Sequence, residues 1–224
     1  MRAAHLLGCL PPTPRIEEPG WAALLDAATV QETQLFRAPA QLALLEAELP
    51  PLAHAARAAG RPLRLLSAGC ATGEEACTLA AIALGLEVPG LAVEVVGLDI
   101  SRPALRAAEA GLIGAHLGAP LGLVPARHLP WLRGEDGTPR LHPALRRLLA
   151  FERVNLLDMP DTLGLFDAML CRNVLIYMDD QARRAVLHGL IARLRPGGLL
   201  GLGATDSAPG GTMRPLGRAM YAHG

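Results

Sequence analysis

The sequence lacks lysine altogether and has no excess of charge of either sign. All 21 basic residues are arginine, and 21 acidic residues balance them, so the formal net charge is zero. This balance supplies no overall field that would favour nucleic acid or an anionic membrane as a partner. The missing lysine, together with the abundance of Ala, Leu, Gly and Pro, indicates biased codon usage and carries no information about function.

Long apolar runs and paired cysteines are missing as well. No segment is long and apolar enough for a transmembrane helix, so we expect no membrane insertion. Three prolines interrupt the short apolar run at the N-terminus, which argues against a signal peptide. Cys9, Cys70, Cys77 and Cys171 form no paired framework, which fits a reducing, cytoplasmic location. Cys70 and Cys77 lack zinc-type spacing, so we expect buried thiols and no metal site.

The pattern that is present is an alternation of strands and helices over most of the 224 residues. The predicted strands are Leu63–Ala68, Val93–Ile100, Phe151–Leu157, Phe166–Cys171, Leu199–Ala204 and Arg218–Ala222. The predicted helices between them are Glu74–Leu84, Arg102–Ala110 and Asp179–Leu194. Such an alternation predicts the α/β class, with a mostly parallel sheet and helices on both faces.

Three other segments do not belong to this alternation. Residues 1–28 are rich in proline at their start, and we expect them to be extended or to form a short helix. Leucines recur at helical spacing after Pro39, and Pro50 and Pro51 are expected to kink or divide that helix. The interval Ile113–Leu149 is too long for a simple connection, so we expect a functional insertion or a small subdomain.

The first predicted strand runs into a glycine-rich turn and a helix N-terminus. A dinucleotide fingerprint has a middle glycine where the pyrophosphate approaches the backbone, but Cys-Ala-Thr separates Gly69 from Gly73 here. A cofactor without phosphates needs no such glycine, and S-adenosylmethionine is one. Glu74 or Glu75 could accept from its ammonium group; alternatively, both acids only favour the helix N-terminus electrostatically.

Polar residues also follow two later strands. Asp99 ends the second strand, where an acid can accept both ribose hydroxyls of an adenosine, or can simply begin a turn at Ser101. Arg172 and Asn173 follow the fourth strand, at the sheet edge where such folds bind ligands. Taken singly, Arg172 could be a structural ion-pair partner and Tyr177 a core residue.

Five blocks in this order resemble the CheR-type chemoreceptor methyltransferases: SAGCATGEE, GLDIS, VNLLD, FDAMLCRNVLIYM and LRPGGLLGLGATDS. The resemblance implies a Rossmann-like methyltransferase domain over residues 29–224, with a seven-stranded sheet and a small β-subdomain at about residues 113–149. It implies S-adenosylmethionine as the methyl donor and S-adenosylhomocysteine as the product. The acceptors it implies are glutamate side chains on the cytoplasmic domain of bacterial chemoreceptors.

By motif position, the resemblance also implies which residues form the site. It assigns cofactor contacts to Thr33, Arg37, Gly69, Glu74, Asp99, Asn155, Leu156, Arg172 and Asn173. Arg37 and Tyr177 would lie beside the transferring methyl group and act as the catalytic residues. The chain departs from the family at Gln31, where Asn is usual, at Leu35, where Phe is usual, and in Gly-Ala-Thr-Asp, where Gly-His-Ser-Glu is common. Most of the family's N-terminal helical domain is absent ahead of Thr29.

Three functions remain open from the sequence. The first is a protein-glutamate O-methyltransferase of the CheR type. The second keeps the cofactor but uses another protein or a small acid as the acceptor, and the third is a catalytically weak S-adenosylmethionine-binding module. We expect no nucleic-acid partner, and a monomer is favoured although the sequence does not determine the oligomeric state.

Overall fold

A computed structural model of the chain describes residues 16–29, 31–114 and 120–224. The strands are β1 (Leu63–Ala68), β2 (Val93–Asp99), β3 (Leu149–Arg153), β4 (Phe166–Cys171), β5 (Leu194–Leu202), β6 (Met213–Gly217) and β7 (Met220–His223). The helices are α1 (Pro19–Ala28), α2 (Pro39–Ala58), α3 (Glu74–Leu84), α4 (Arg102–Ala110), α5 (Leu129–Leu132), α6 (Pro143–Arg146) and α7 (Asp180–Ala192).

All seven strands belong to one sheet with the order β3-β2-β1-β4-β5-β7-β6. Strands β1 to β5 are parallel, whereas β7 runs antiparallel to both β5 and β6. The predicted α/β fold with a mostly parallel sheet is confirmed. The chain moves outward from β1 in one direction through β2 and β3, and in the other through β4 and β5. The carboxyl ends of β1 and β4 therefore flank the switch point at which such sheets bind ligands.

Each face of the sheet is buried under a separate apolar layer. Alternate strand residues point to opposite faces, so Leu65 joins a cluster with α2 and α3, while Leu66 joins a cluster with α7. Helix α7 begins at its cap Asp179, whose side chain accepts a hydrogen bond from the Ala182 N–H at 2.8 Å. This cap is the reason the predicted helix starts where it does.

Helix α2 runs as one helix through Pro50 and Pro51, so of the two predicted outcomes, a kink or a division, the division is wrong. The prolines remove two backbone donors, but Leu49 and Ala53 on either side of them are fully buried in the core. Packing of the apolar face thus offsets the lost hydrogen bonds. Among the described residues, no helix is long and apolar enough to cross a membrane.

The last strands also differ from their predictions. β5 begins at Leu194 instead of the predicted Leu199. The expected helix stop Pro196-Gly197-Gly198 lies inside the strand, and the pairing with β4 shifts register there. β6 escaped prediction because it is a short, mostly exposed strand that contains Pro215. Arg218 and Ala219 have positive φ and form the turn between β6 and β7, so β7 begins at Met220.

The insertion Ile113–Leu149, expected to contain a small β-subdomain, has a different local structure in the residues described. It contains the two short helices α5 and α6, a 3₁₀ turn at Ala126–His128 and a single antiparallel bridge between Arg133 and Pro139. Prolines at the first turns of α5 and α6 favour helical starts over strands. Leu132 and Leu145 are fully buried, and they attach the insertion to the core layer that contains α3.

Candidate cofactor and acceptor site

The glycine-rich turn brings the loops after β1 and β4 into close contact. Gly69 has φ +79°, and a Cβ there would lie 2.3 Å from the Val174 Cγ2 atom. Gly73 has φ +93°, and its Cβ would lie 2.9 Å from the Ala108 Cβ. Both positions therefore require glycine, for backbone conformation and for space.

Asp99 links this turn to the end of β2. Its Oδ2 accepts a hydrogen bond from the Ala71 N–H at 2.8 Å, and its Oδ1 accepts one from the Ser101 N–H at 2.8 Å. The turn-forming interpretation of Asp99 is thus correct, and it is compatible with ribose binding because each carboxylate oxygen retains a further lone pair. Since the Ala71 N–H is already engaged, this turn is poorly suited to a pyrophosphate.

The two adjacent acids Glu74 and Glu75 occupy different environments. Glu74 is 2% exposed, and its carboxylate accepts from the Thr72 hydroxyl at 2.7 Å and the Gly114 N–H at 2.9 Å. Glu75 lines a cleft beside Gly69 and accepts from the Ser67 hydroxyl at 2.7 Å. The structure therefore brings Glu75 rather than Glu74 into the cleft, a distinction that adjacent identical residues do not reveal in the sequence.

Arg172 connects β4 to two other parts of the site. Its side chain is 4% exposed, and its Nε donates to the Glu75 Oε2 at 2.7 Å. Its Nη1 donates to the Arg37 carbonyl oxygen at 2.5 Å. The structural interpretation of Arg172 as an ion-pair partner is thus correct for the fold, and the pair lies directly on the cleft.

The turn that carries Arg37 has an unusual backbone. Phe36 and Ala38 have φ of 53° and 59°, and non-glycine residues in this region carry strain of about 1–3 kcal/mol each. The Phe36 N–H donates to the Thr78 Oγ1 at 3.0 Å, which holds the turn against α3. In contrast, the Arg37 side chain is 34% exposed and reaches Glu32 at the surface. The Arg37 carbonyl and the neighbouring Phe36 N–H are bonded to Arg172 and Thr78, whereas the Arg37 guanidinium has a polar contact only with Glu32 among the described residues.

The cleft is formed by several of the residues predicted from the sequence. Its lining consists of Glu32, Thr33, Gln34, Arg37, Gly69, Glu75, Arg172 and Asn173. Sequence reasoning missed Glu32 and Gln34, whose signal was their position in the polar segment before Arg37. It also missed Gln41, whose Nε2 donates to the Leu202 carbonyl at 2.9 Å and so fastens the start of α2 to the end of β5.

Other predicted residues lie elsewhere along the same sheet edge. Asn155 and Leu156 follow β3, and the Asn155 Oδ1 accepts from the Leu157 N–H at 3.1 Å. Tyr177 ends a 3₁₀ turn after β4 and is 66% exposed. The core interpretation of Tyr177 is therefore wrong, because its ring lies at the surface.

The segment before the cleft attaches beside Asp99. Gln31, which replaces the usual Asn, donates from its Nε2 to the Ser101 Oγ at 3.0 Å. Asp26 of α1 accepts from the Arg102 Nη2 at 2.6 Å. Burial raises the pKa of Asp26, but the hydrogen bonds from Arg102 outweigh it and hold this pKa below its ordinary value. Helix α1 is thus fastened to the start of α4, close to Asp99.

The cysteines near the site have no nucleophilic character. Burial raises the pKa of the Cys70, Cys77 and Cys171 thiols well above the ordinary value, so they are neutral at physiological pH. Within the described ranges, no group of three or more His, Cys, Asp or Glu side chains could hold a metal ion.

The residues present fit an adenosine cofactor with a zwitterionic tail. Asp99 offers acceptors for hydroxyl groups, Glu75 offers an acceptor for an ammonium group, and glycine leaves room at both turns. Arg172 and the N-terminus of α3 supply positive potential for a carboxylate.

Comparisons with known proteins agree with this chemistry. The family model described as "CheR methyltransferase, SAM binding domain" matches residues 31–215. Chemotaxis protein methyltransferase 1 of Vibrio cholerae is 34% identical over 193 residues, which are 84% of this chain and 69% of that protein. The probable biofilm formation methyltransferase WspC of Pseudomonas putida is 36% identical over 206 residues, which are 88% of this chain and 47% of that protein.

Similarity to solved structures is weaker. The [4+2]-cyclase SpnF aligns with a TM-score of 0.43 and 20% identity, covering 78% of this chain and 48% of that chain. The match covers only about half of that structure's chain.

Proposed function

The chain belongs to the CheR methyltransferase family, and we propose that it methylates glutamate side chains on the cytoplasmic domain of a bacterial chemoreceptor. As a member of that family it is an S-adenosylmethionine-dependent methyltransferase. The acceptor is the proposed part. The observation that supports it best is the turn carrying Arg37, which Arg172 holds at the mouth of the cleft formed with Gly69 and Glu75.

The cofactor contacts follow from the positions of the residues along the sheet edge. We assign the ribose hydroxyls to Asp99 and the amino-acid tail to Glu75, Arg172 and the turn at Gly69. Thr33, Asn155, Leu156 and Asn173 are assigned further cofactor contacts. Glu74, which the resemblance assigns to the cofactor, supports the turn through Thr72 and the Gly114 N–H. S-adenosylmethionine, when bound, supplies an electrophilic methyl group on a sulfonium.

The acceptor needs no general base, because a glutamate carboxylate is already ionised at neutral pH. The task of the protein is to align the attacking oxygen and to exclude water from it, and alignment can lower a barrier by about 7–11 kcal/mol in favourable systems. Arg37, with its partly exposed guanidinium at the cleft, orients the acceptor carboxylate. Bidentate contact from arginine fixes direction better than a lysine ammonium would.

Arg37 must not bind the reacting oxygen too tightly, because that would stabilise the ground state. Tyr177 is exposed at the same edge, so its ring and hydroxyl are available to the segment that carries the acceptor glutamate. We assign it the role of forming one wall of the methyl site when that segment binds.

A different acceptor protein is the second candidate. The WspC relative of Pseudomonas putida, named for biofilm formation, is as similar to the chain as the chemotaxis relatives are. The chain spans 69% of the Vibrio cholerae relative and 47% of WspC. Either acceptor system fits the same chemistry at the cleft.

The test is to incubate the protein with S-adenosylmethionine carrying a labelled methyl group and with receptor cytoplasmic fragments from both systems. Glutamate methylation predicts label on the receptor that base releases as methanol. Arg37→Ala is expected to abolish transfer, whereas Arg106→Ala, an exposed arginine of α4, is the matched control. Label that resists base would contradict a carboxyl methyl ester, and label on no fragment would contradict the receptor acceptor.

A further inference from the structure

We propose that His128, a residue of the insertion, is a positioning residue for Arg37, a proposal that rests on the role of Arg37 in methyl transfer given above. His128 lies in the 3₁₀ turn Ala126–His128 and is 2% exposed. It is far from Arg37 in sequence and takes no part in the cofactor contacts. Its two ring contacts nevertheless fall on the two chain segments that flank Arg37.

The first contact is with Phe36, the residue immediately before Arg37. The rings of Phe36 and His128 stack with centroids 4.9 Å apart and an angle of 25° between their planes. Offset stacking of this kind is favourable beyond simple burial of area. The His128 ring therefore fixes the direction in which the Phe36 side chain leaves the turn.

The second contact is with α2, the helix that begins just after Arg37. The His128 Nε2 lies 2.6 Å from the Glu46 Oε1, and Glu46 also pairs with Arg127. One imidazole ring thus joins the residue before Arg37 to the helix after it. This bridge holds the two ends of the Arg37 turn at a set separation.

The turn needs such restraint because its backbone is strained. Phe36 and Ala38 both have positive φ, and strained residues persist only where the surroundings hold them. The Thr78 Oγ1 of α3 accepts from the Phe36 N–H, and the Arg172 guanidinium donates to the Arg37 carbonyl oxygen. His128 adds a further restraint from the insertion through its contacts with Phe36 and Glu46.

An ordinary core histidine would have both ring nitrogens satisfied, and this one does not. The His128 Nδ1 is buried without a hydrogen-bond partner among the described residues. A buried polar atom left unpaired is costly, so packing alone would favour an apolar side chain here. A histidine at this position, with its Nδ1 unpaired but its ring on Phe36 and its Nε2 at Glu46, fits a role in positioning the Arg37 turn.

The direct test measures hydrogen exchange of the Phe36 amide, which reports whether the turn is closed on Thr78. His128→Gln keeps a donor for Glu46 but removes the ring, and we expect the Phe36 amide to exchange about five- to tenfold faster. His128→Phe keeps a ring but loses the contact with Glu46, so it should restore only part of the protection. Unchanged protection in His128→Gln would overturn the proposal.

The matched control is His142→Ala. His142 belongs to the same insertion and meets the Trp131 ring edge-on at 5.3 Å, away from Phe36. We expect it to leave the Phe36 amide unchanged; equal acceleration in both variants would mean that general loosening of the insertion is responsible, and would overturn a specific role for His128. If His128→Gln does not fold, Glu46→Ala, which leaves the ring without its anchor, carries the same test.

Kinetics then separate this proposal from the proposed function. His128→Gln should lower kcat with the acceptor severalfold, because Arg37 is displaced when the turn loosens. The cofactor Kd should not change. If Arg37→Ala abolishes transfer but His128→Gln leaves kcat and the Phe36 amide unchanged, the positioning role fails and the proposed function stands. If Arg37→Ala retains full activity, the proposed function of Arg37 fails, and amide exchange still decides whether His128 holds the turn.

Discussion

The part of the sheet edge proposed to bind the cofactor and the part proposed to bind the acceptor are built differently. On the cofactor side, the polar side chains of Asp99, Glu75 and Arg172 bind other parts of the protein. On the acceptor side, the side chains of Arg37 and Tyr177 extend toward solvent. The first group of side chains is bonded within the protein, whereas the second group is available to contact a bound acceptor.

This difference separates stability from activity. Breaking a buried ion pair by removing one partner costs about 3–5 kcal/mol, whereas exposed ion pairs contribute about 0–1 kcal/mol. Substitutions on the cofactor side should therefore reduce the free energy of unfolding together with cofactor binding. Substitutions on the acceptor side should reduce methyl transfer in a protein of nearly unchanged stability.

The largest effect on stability is expected for Arg172→Ala. It leaves the Glu75 carboxylate buried with the Ser67 hydroxyl as its remaining side-chain partner and frees the Arg37 carbonyl, so the free energy of unfolding should fall by about 3–5 kcal/mol. Urea unfolding measures this loss. Arg184→Ala, on the exposed face of α7, is the control. If Arg172→Ala and Arg184→Ala both lower the free energy of unfolding only slightly, the proposed difference between the cofactor part and the acceptor part of the sheet edge is wrong.

Asp99→Ala should have the next largest effect. It leaves the Ala71 and Ser101 N–H groups without their acceptor, and a lost buried partner costs about 1–3 kcal/mol. Calorimetry should also show weaker cofactor binding, since the ribose acceptor is gone. Asp99→Asn retains one acceptor oxygen, so its stability and its cofactor affinity should lie between those of the wild type and of Asp99→Ala. Unchanged cofactor affinity in Asp99→Ala would refute the assignment to the ribose.

Asp206 lies in the loop that follows β5 and is 7% exposed. Burial raises its pKa, and the charge of Arg183 opposes this only in part; its Oδ2 has no hydrogen-bond partner in the described part of the chain. Because the folded state holds this proton more tightly than the unfolded state, its contribution to stability is lost as pH rises from about 4, the ordinary aspartate pKa, through the folded-state value.

Asp206→Asn should remove this loss, so the difference in unfolding free energy between variant and wild type should grow with pH over that interval. Urea unfolding at several pH values measures it, with the exposed Asp158→Asn as the control. A difference that is constant with pH would show that the carboxyl is not perturbed.

The smallest effects on stability are expected for Arg37→Ala and Tyr177→Phe, within about 0.5–1 kcal/mol, because Tyr177 is 66% exposed and the ion pair of Arg37 with Glu32 lies at the surface. Methyl transfer should nevertheless be lost in the first and strongly reduced in the second, with cofactor binding by Tyr177→Phe unchanged. Turnover near the wild-type rate in both variants would contradict their assignment to the acceptor side.

Local patterns were sufficient to predict most of the sheet. β1, β4, α3 and α4 have the predicted bounds, because each combines a continuous apolar run or a helical repeat with a clear stop. β6 was missed because an exposed edge strand has no buried face to produce a pattern. Gln41 was missed for a related reason, since its partners Leu202 and Arg218 are distant in sequence and meet it only across the folded sheet.

The sequence by itself determined the α/β class, the glycine-rich turn and the acid at the end of β2, because backbone conformation and strand ends are decided by neighbouring residues. Only the tertiary structure decided which of Glu74 and Glu75 faces the cleft, that Arg172 holds the Arg37 carbonyl, and that His128 stacks on Phe36. These contacts join residues that lie far apart in the chain, and they depend on helix rotation and side-chain packing that no local pattern specifies.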